Sequence, residues 1–205
     1  MEQMLHDGHG RRFEYLRLSL TDVCNFRCSY CLPDGYRKQA GLPGNLAVDE
    51  IRRLVGAFAR LGLWKVRLTG GEPSLRRELL EIATTVSAVP GVRKLAMTTN
   101  GHRLAERATE YASAAISTLN ISVDSLDPAR FAAITGQDRL REVLAGIDAA
   151  RAAGISSVKL NSVLMRGIND DELEHFIAFV ARHDLSLRFI EVMRTNDNTA
   201  FFERH

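Results

Sequence analysis

The sequence predicts an α/β fold in which six parallel strands, with helices outside them, form a sheet curved into a partial barrel. Three observations predict it. Short β-rich runs alternate with longer segments of helical period along the 205 residues, the pattern of repeated strand–helix units and hence of a parallel sheet, either doubly wound or curved. A polar face recurs on five of the candidate strands, whereas both faces of an ordinary parallel sheet are apolar. No Pro-, Gly- or Ser-rich linker interrupts the chain, so residues 1–205 are read as one domain with residues 1–12 a flexible leader.

The first strand falls at Tyr15 to Leu20, where Leu16, Leu18 and Leu20 take one face and Tyr15, Arg17 and Ser19 the other. Ile51, Leu54, Val55, Phe58 and Leu61 then recur at steps of three and four, an amphipathic helix stopped by Gly62. The second strand, Lys65 to Leu68, sets Lys65, Arg67 and Thr69 against Val66 and Leu68, and a helix is expected from Leu79 to Val86. Strands at Lys94 to Thr98 and Ser117 to Ser122 align Thr98 with Asn100, and Asn120 with Ser122 and Asp124. A helix from Val143 to Ala153, ended by Gly154, leads to a strand at Ser157 to Val163, where Lys159 and Asn161 oppose Val158 and Leu160. A last helix, Leu173 to Val180 behind a cap at Asp170 or Asp171, precedes a strand at Ser186 to Ile190. The repeated polar face calls for a wet lumen, which a sheet curved around a large polar ligand provides.

The 27 basic and 25 acidic residues are spread along the chain for a net charge of +2, with no basic stripe interleaved with aromatics, which argues against nucleic acid. No apolar run is long enough to span a bilayer, and the first residues carry no signal-like stretch, so no membrane partner and a cytoplasmic location are expected. The three cysteines, Cys24, Cys28 and Cys31, are odd in number and crowded into one loop, which suits metal ligation in a reducing compartment better than a disulfide framework. Their spacing converges three thiolates on one centre. Either a 4Fe-4S cluster with one iron open to a ligand, or a zinc ion completed by a histidine, satisfies that arrangement; zinc sites usually pair two separated couples, and no second couple exists in the sequence.

The Cys-x3-Cys-x2-Cys loop, with Tyr30 before its last cysteine, and the Gly70-Gly71-Glu72-Pro73 segment after the second strand resemble the radical S-adenosylmethionine (SAM) family. Two glycines there let backbone approach a ligand closely, and Pro73 fixes the turn. Further blocks, among them YLRLSLTDVCNFRCSYCLP, VRLTGGEPSLRREL, TTNGHRL, ISVDSLD, ITGQD, VKLNSVLMRGIND and LRFIEVM, resemble the GTP 3′,8-cyclase family within it, from about Phe13 to His205.

The resemblance implies a partial (β/α)6 TIM-like barrel, a lyase activity that starts molybdenum cofactor biosynthesis from GTP, a 4Fe-4S cluster on Cys24, Cys28 and Cys31, and SAM as the second cofactor. It implies SAM contacts at Tyr30, Gly71, Ser122 and Met193, and GTP contacts at Arg17, Arg67, Thr98 and Lys159. Strand parity independently puts Arg17, Arg67, Thr98, Ser122 and Lys159 on the polar face, and three cations in one lumen suit a triphosphate. Arg188 and Arg194 are read as solvated surface charges.

In the family mechanism an electron donor reduces the cluster, SAM is cleaved to a 5′-deoxyadenosyl radical, and that radical takes the 3′-hydrogen of GTP. No protein general base is needed for this step. The family's C-terminal cysteines, which hold a second cluster beside guanine, have no counterpart in these residues. The chain alone is therefore expected to cyclise GTP little or not at all, whether it is a fragment or a truncated homologue. The open end of the sheet is expected to associate with another polypeptide, such as a second copy in a homodimer. A radical SAM enzyme acting on a peptide, or a non-catalytic copy of the fold, are the competing readings.

Overall fold

All six strands join one sheet in chain order, and every neighbouring pair is parallel. The computed structural model describes residues 4–38, 41, 44–195 and 198–205. The elements are β1 (Tyr15–Ser19), α1 (Val48–Arg60), β2 (Lys65–Thr69), α2 (Leu79–Ser87), β3 (Lys94–Thr99), α3 (Leu104–Ser113) and β4 (Ile116–Ser122). Then come α4 (Pro128–Thr135), α5 (Leu140–Ala152), β5 (Ser157–Leu164), α6 (Leu173–His183), β6 (Ser186–Glu191) and a single turn, α7 (Thr199–Phe202). Doubly wound sheets reverse their strand order part-way. Here the order never reverses, which is the winding of a barrel, and among the described residues no pairing joins β6 to β1. The fold is an open, partial barrel.

Each predicted strand is present with ends within one or two residues. Three helices were not foreseen. The buried positions of α3, Leu104, Ala108 and Tyr111, keep helical spacing, but its alanines and charges blur the contrast. Punctuation rather than periodicity defines α4: the Asp127 carboxylate caps Arg130 N, Pro128 occupies the first turn, and Gly136 ends the helix at φ 69°. The brief α7 follows Asn198.

The outer face of the sheet carries the core. Val66, Leu68, Leu95, Met97, Leu119, Ile121, Val158 and Leu160 are buried against Ile51 and Val55 of α1, Leu79, Ile82 and Val86 of α2, Val143 and Ile147 of α5, and Phe176 of α6. Burying such a side chain contributes about 1.5–3 kcal/mol. The inner face is polar, and its rows follow from the register: Arg17 faces Arg67, Arg67 faces Ala96, Thr98 faces Asn120, and Asn120 faces Lys159. A shift of register between Leu95 and Ala96 sets the alignment of Thr98 with Asn120.

The leader is folded where it is described. Leu5 N donates to Leu61 O, Phe13 N to Leu5 O, and the Asp7 carboxylate accepts from His9 N and Arg11 N. Residues 1–3 of the expected leader lie outside the described residues. No helix among the described residues is long and apolar enough to cross a membrane.

Close packing of α3 on α5 depends on Gly146, where a Cβ would stand 2.8 Å from the Cβ of Leu104. Gly146→Val is expected to cost about 1–3 kcal/mol by overpacking, read as a lower urea midpoint in far-UV circular dichroism. An unchanged midpoint would show that the two helices do not approach this closely.

Candidate active site

After β1 the chain leaves regular structure and runs through the three cysteines, so their placement rests on neighbours. Leu20 continues into the core with its N–H on Thr69 O, and Phe26, 2% exposed, meets the edge of Phe131 at a centroid distance of 6.2 Å. Backbone donors of Arg27 and Ser29 reach Thr135 O and Ile134 O at the end of α4. The Cys28 carbonyl accepts from both Cys31 N and Leu32 N, closing the turn that brings the third cysteine back.

The two glycines after β2 lie against this loop. Gly71 N donates to Thr21 O at 2.7 Å and Glu72 N to Val23 O at 2.8 Å. A Cβ on Gly70 would collide with the Thr21 carbonyl, and one on Gly71 with that of Val23. What their missing side chains admit is the backbone of the thiol loop itself.

Two buried carboxylates flank the thiols. Glu72, 1% exposed, accepts from Ser74 N and Thr99 Oγ1 at Oε1 and from Asn100 N at Oε2. Asp124, 2% exposed, accepts from Tyr30 OH at 2.8 Å and from Val163 N at 2.8 Å. Desolvation raises both carboxyls, Asp124 to about 6. Desolvation, then the charge of Glu72, raises the Cys24 thiol; desolvation, then Asp124, raises Cys28 well above its ordinary value.

Cys24, Cys28 and Cys31 line one pocket with Tyr30, Gly71, Ser122, Thr98 and Asp124. Met193 follows β6 at 75% exposure, outside that lining. Arg17, Arg67 and Lys159 lie deeper on the same face of the sheet. Thr98 joins the two regions: it lines the thiol pocket, and its Oγ1 accepts from Arg67 Nη1 at 3.2 Å.

The donor set fits an iron–sulfur cluster. Three thiols face one pocket and feel one another's charge, while among the described residues no three His, Cys, Asp or Glu side chains are grouped to hold a single ion. A cubane takes each thiolate on a different iron, and so accepts sulfurs set apart. Loading it requires the raised thiols to lose their protons, which the positive irons favour.

The lumen floor is more cationic than sequence reasoning proposed. Lys65 is lowered by desolvation and then by Arg67, Lys94, Lys159 and Arg188. Lys159 is lowered by desolvation and then by Arg188, Lys94 and Arg67, and Arg67 by desolvation with Arg17 and Arg188 adding to it. Arg188 is exposed, as its reading as a solvated charge implies, and its charge is nonetheless among those that lower Lys65, Arg67 and Lys159. Alternation along Ser186, Arg188 and Ile190 was the signal that could have placed it. Arg194 is exposed and faces Glu203 at 3.8 Å. Among the described residues none of the six lumen cations has a carboxylate ion-pair partner. Asn120 and the Nε of Arg67, buried on the same face, also lack hydrogen-bond partners there.

Comparison with known proteins agrees with this arrangement. A family model described as the radical SAM superfamily matches residues 18–180. A protein of Stenotrophomonas maltophilia (strain K279a) named GTP 3′,8-cyclase is 58% identical over 201 residues, covering 98% of this chain and 61% of its own length. A protein of the same name from Aeromonas hydrophila is 56% identical over 205 residues, with 98% and 60% covered. The chain thus spans about three fifths of these curated relatives. Among solved structures, Streptococcus suis SuiB bound to S-adenosylmethionine superposes with a TM-score of 0.74 at 15% identity, covering 94% of this chain and 43% of that one. The maturase HydG superposes at 0.69 and 16%, covering 89% and 43%. These two show the fold.

The unfolded chain titrates an aspartate near 3.8 and the folded protein holds Asp124 near 6, so between those values the folded state keeps the extra proton and stability declines as pH rises. The gap corresponds to on the order of 3 kcal/mol. Asp124→Asn in the protein without its cluster is expected to flatten that decline, measured as urea midpoints at pH 4.5 and 7.5. Equal slopes in both proteins would assign the titration elsewhere.

Proposed function

The chain belongs to the radical SAM superfamily, and from that premise we propose that its lumen is the site at which GTP becomes 3′,8-cyclo-7,8-dihydro-GTP with SAM as co-substrate. Membership brings SAM and an iron–sulfur cluster; a 4Fe-4S cluster on Cys24, Cys28 and Cys31 is our reading of the thiol loop. The observation that carries the substrate is the junction at Thr98 of a thiol pocket with a floor of six cations lacking carboxylate partners among the described residues. A triphosphate supplies the anionic oxygens these groups need, and arginine meets them through paired hydrogen bonds. The name borne by the relatives at 56–58% identity accords with that chemistry.

A cluster held by Cys24, Cys28 and Cys31 would supply the electron for reductive cleavage of SAM, the radical chemistry of this superfamily. The protein's own residues do the placing. Arg17, Arg67 and Lys159 hold the phosphates, assisted by Lys65 and Arg188, and Thr98 sets the distance between the phosphate floor and the thiol pocket. Tyr30, Gly71 and Ser122 border the space for SAM, with Met193 approaching from the segment after β6. Such orientation matters greatly, since displacement on the order of 1 Å can cost about 100-fold in rate. The electron comes from an external donor, and a reducing, cytoplasmic setting keeps the thiols available.

Anaerobic reconstitution with iron and sulfide, followed by dithionite and SAM, is expected to yield 5′-deoxyadenosine that GTP stimulates and that Cys24→Ser, Cys28→Ser or Cys31→Ser abolishes. Product formed equally without the three thiols would sink the assignment. Arg17→Ala and Lys159→Ala are each expected to raise the GTP Kd about tenfold or more, measured by equilibrium dialysis. Unchanged GTP binding would direct the search to another substrate.

A further inference from the structure

Among the described residues β6 and β1 share no ladder pair, so backbone pairing does not hold the last loop of the half-barrel against its first. A buried polar side chain contributes to that connection. Asn198, 3% exposed, donates from Nδ2 to the Tyr30 carbonyl at 2.7 Å and to the Met193 carbonyl at 2.9 Å, while its Oδ1 accepts from Thr195 N at 2.7 Å. A primary amide offers two N–H donors and a carbonyl acceptor, and all are engaged. Tyr30 sits between Cys28 and Cys31, and its side chain packs in a small apolar cluster with Ile134, Met165, Val192 and Phe201. The amide therefore fixes two backbones at once: that of the thiol loop and that of the segment carrying Met193.

We propose that Asn198 is a positioning residue that latches the segment after β6 onto the thiol loop, so that Met193 and the thiol pocket hold one SAM molecule between them. The inference rests on the reading of this pocket as a SAM site. Both carbonyls accept only, so the role demands a donor. Aspartate has nearly the same shape and still accepts from Thr195 N, but it turns an acceptor toward two carbonyls. If Asn198 merely filled space, aspartate would serve as well.

The test loads wild type, Asn198→Ala and Asn198→Asp anaerobically with iron and sulfide. It then measures iron per chain after gel filtration, SAM Kd by equilibrium dialysis, and the electron paramagnetic resonance spectrum of the reduced cluster as SAM is added. Iron content is expected to match in all three, with the SAM Kd raised about tenfold in Asn198→Ala and further in Asn198→Asp. The spectral change on adding SAM should move to correspondingly higher SAM concentration. Wild-type affinity in Asn198→Asp would overturn the latch, as would iron loss in both variants together with a collapsed thermal melt, which would make Asn198 a folding residue. Failure of wild type itself to take up iron or bind SAM would instead remove the underlying reading, and the latch with it.

Discussion

Three sulfurs must be held in fixed relation by a loop with no helix or strand of its own, and the rim of the sheet is organised around that requirement. Each neighbouring loop contributes a buried hydrogen bond. The turn after β2 lends its backbone through Gly71 and Glu72. Glu72 then ties to Thr99 at the end of β3 and to Asn100 just beyond it, and Asn100 Nδ2 returns to Asn25 Oδ1 in the thiol loop. Tyr30 reaches Asp124 after β4, Asp124 reaches Val163 N on β5, and Asn169 donates to the carbonyls of both Asp124 and Val163. A neutral pair in such a set is worth only about 1 kcal/mol net, but losing one partner strands the other in a buried site at about 1–3 kcal/mol. The asymmetry makes the rim cooperative: any single break leaves an unsatisfied group elsewhere in it.

Much of this was legible in the sequence because β-strands alternate strictly. Parity alone placed Arg17, Arg67, Thr98, Ser122 and Lys159 on the inner face, and the register sets Arg17 beside Arg67 and, through Asn120, Thr98 in line with Lys159. The same parity could have reached Lys94, two residues before Ala96, and Arg188. It did not, because a single charge near the start of a strand looks identical whether it faces water or other cations. Loop-to-loop ties such as Asn198 to Tyr30 span 168 positions, beyond any periodic signal. The glycines of GGEP were recognised as sites of close approach, but which backbone they approach depends on how two loops meet in space. The helices α3 and α4 escaped for a different reason: one is alanine-rich, and the other is defined by its caps rather than by an apolar stripe.

The two halves of the lumen carry opposite fields. Buried carboxylates Glu72 and Asp124 stand at the rim beside the thiols, and the cations Lys65, Arg67, Lys94, Lys159 and Arg188 act on one another below them. Neither set is comfortable alone: desolvation raises the carboxyls and thiols and lowers the lysines. A low-dielectric concavity focuses both fields. A ligand bearing a sulfonium is drawn to the carboxylate end, and a polyphosphate to the cationic end.

On the proposed reading, two different ligands would therefore bind at the two ends of this sheet face without exchanging places. Ala96 contributes by being small: it faces Arg67 across the sheet, leaving room for that guanidinium to reach Thr98 on the same strand as Ala96. The residue that borders the thiol pocket is thus hydrogen-bonded to one that binds charge on the floor. On the proposed reading, a phosphate that drew Arg67 into place would also bear on Thr98, so occupancy of the floor would be felt at the thiol pocket. If the proposed radical chemistry holds, its hazard is a radical formed with no substrate beside it, and that 3.2 Å contact is a direct physical route by which substrate binding would be sensed.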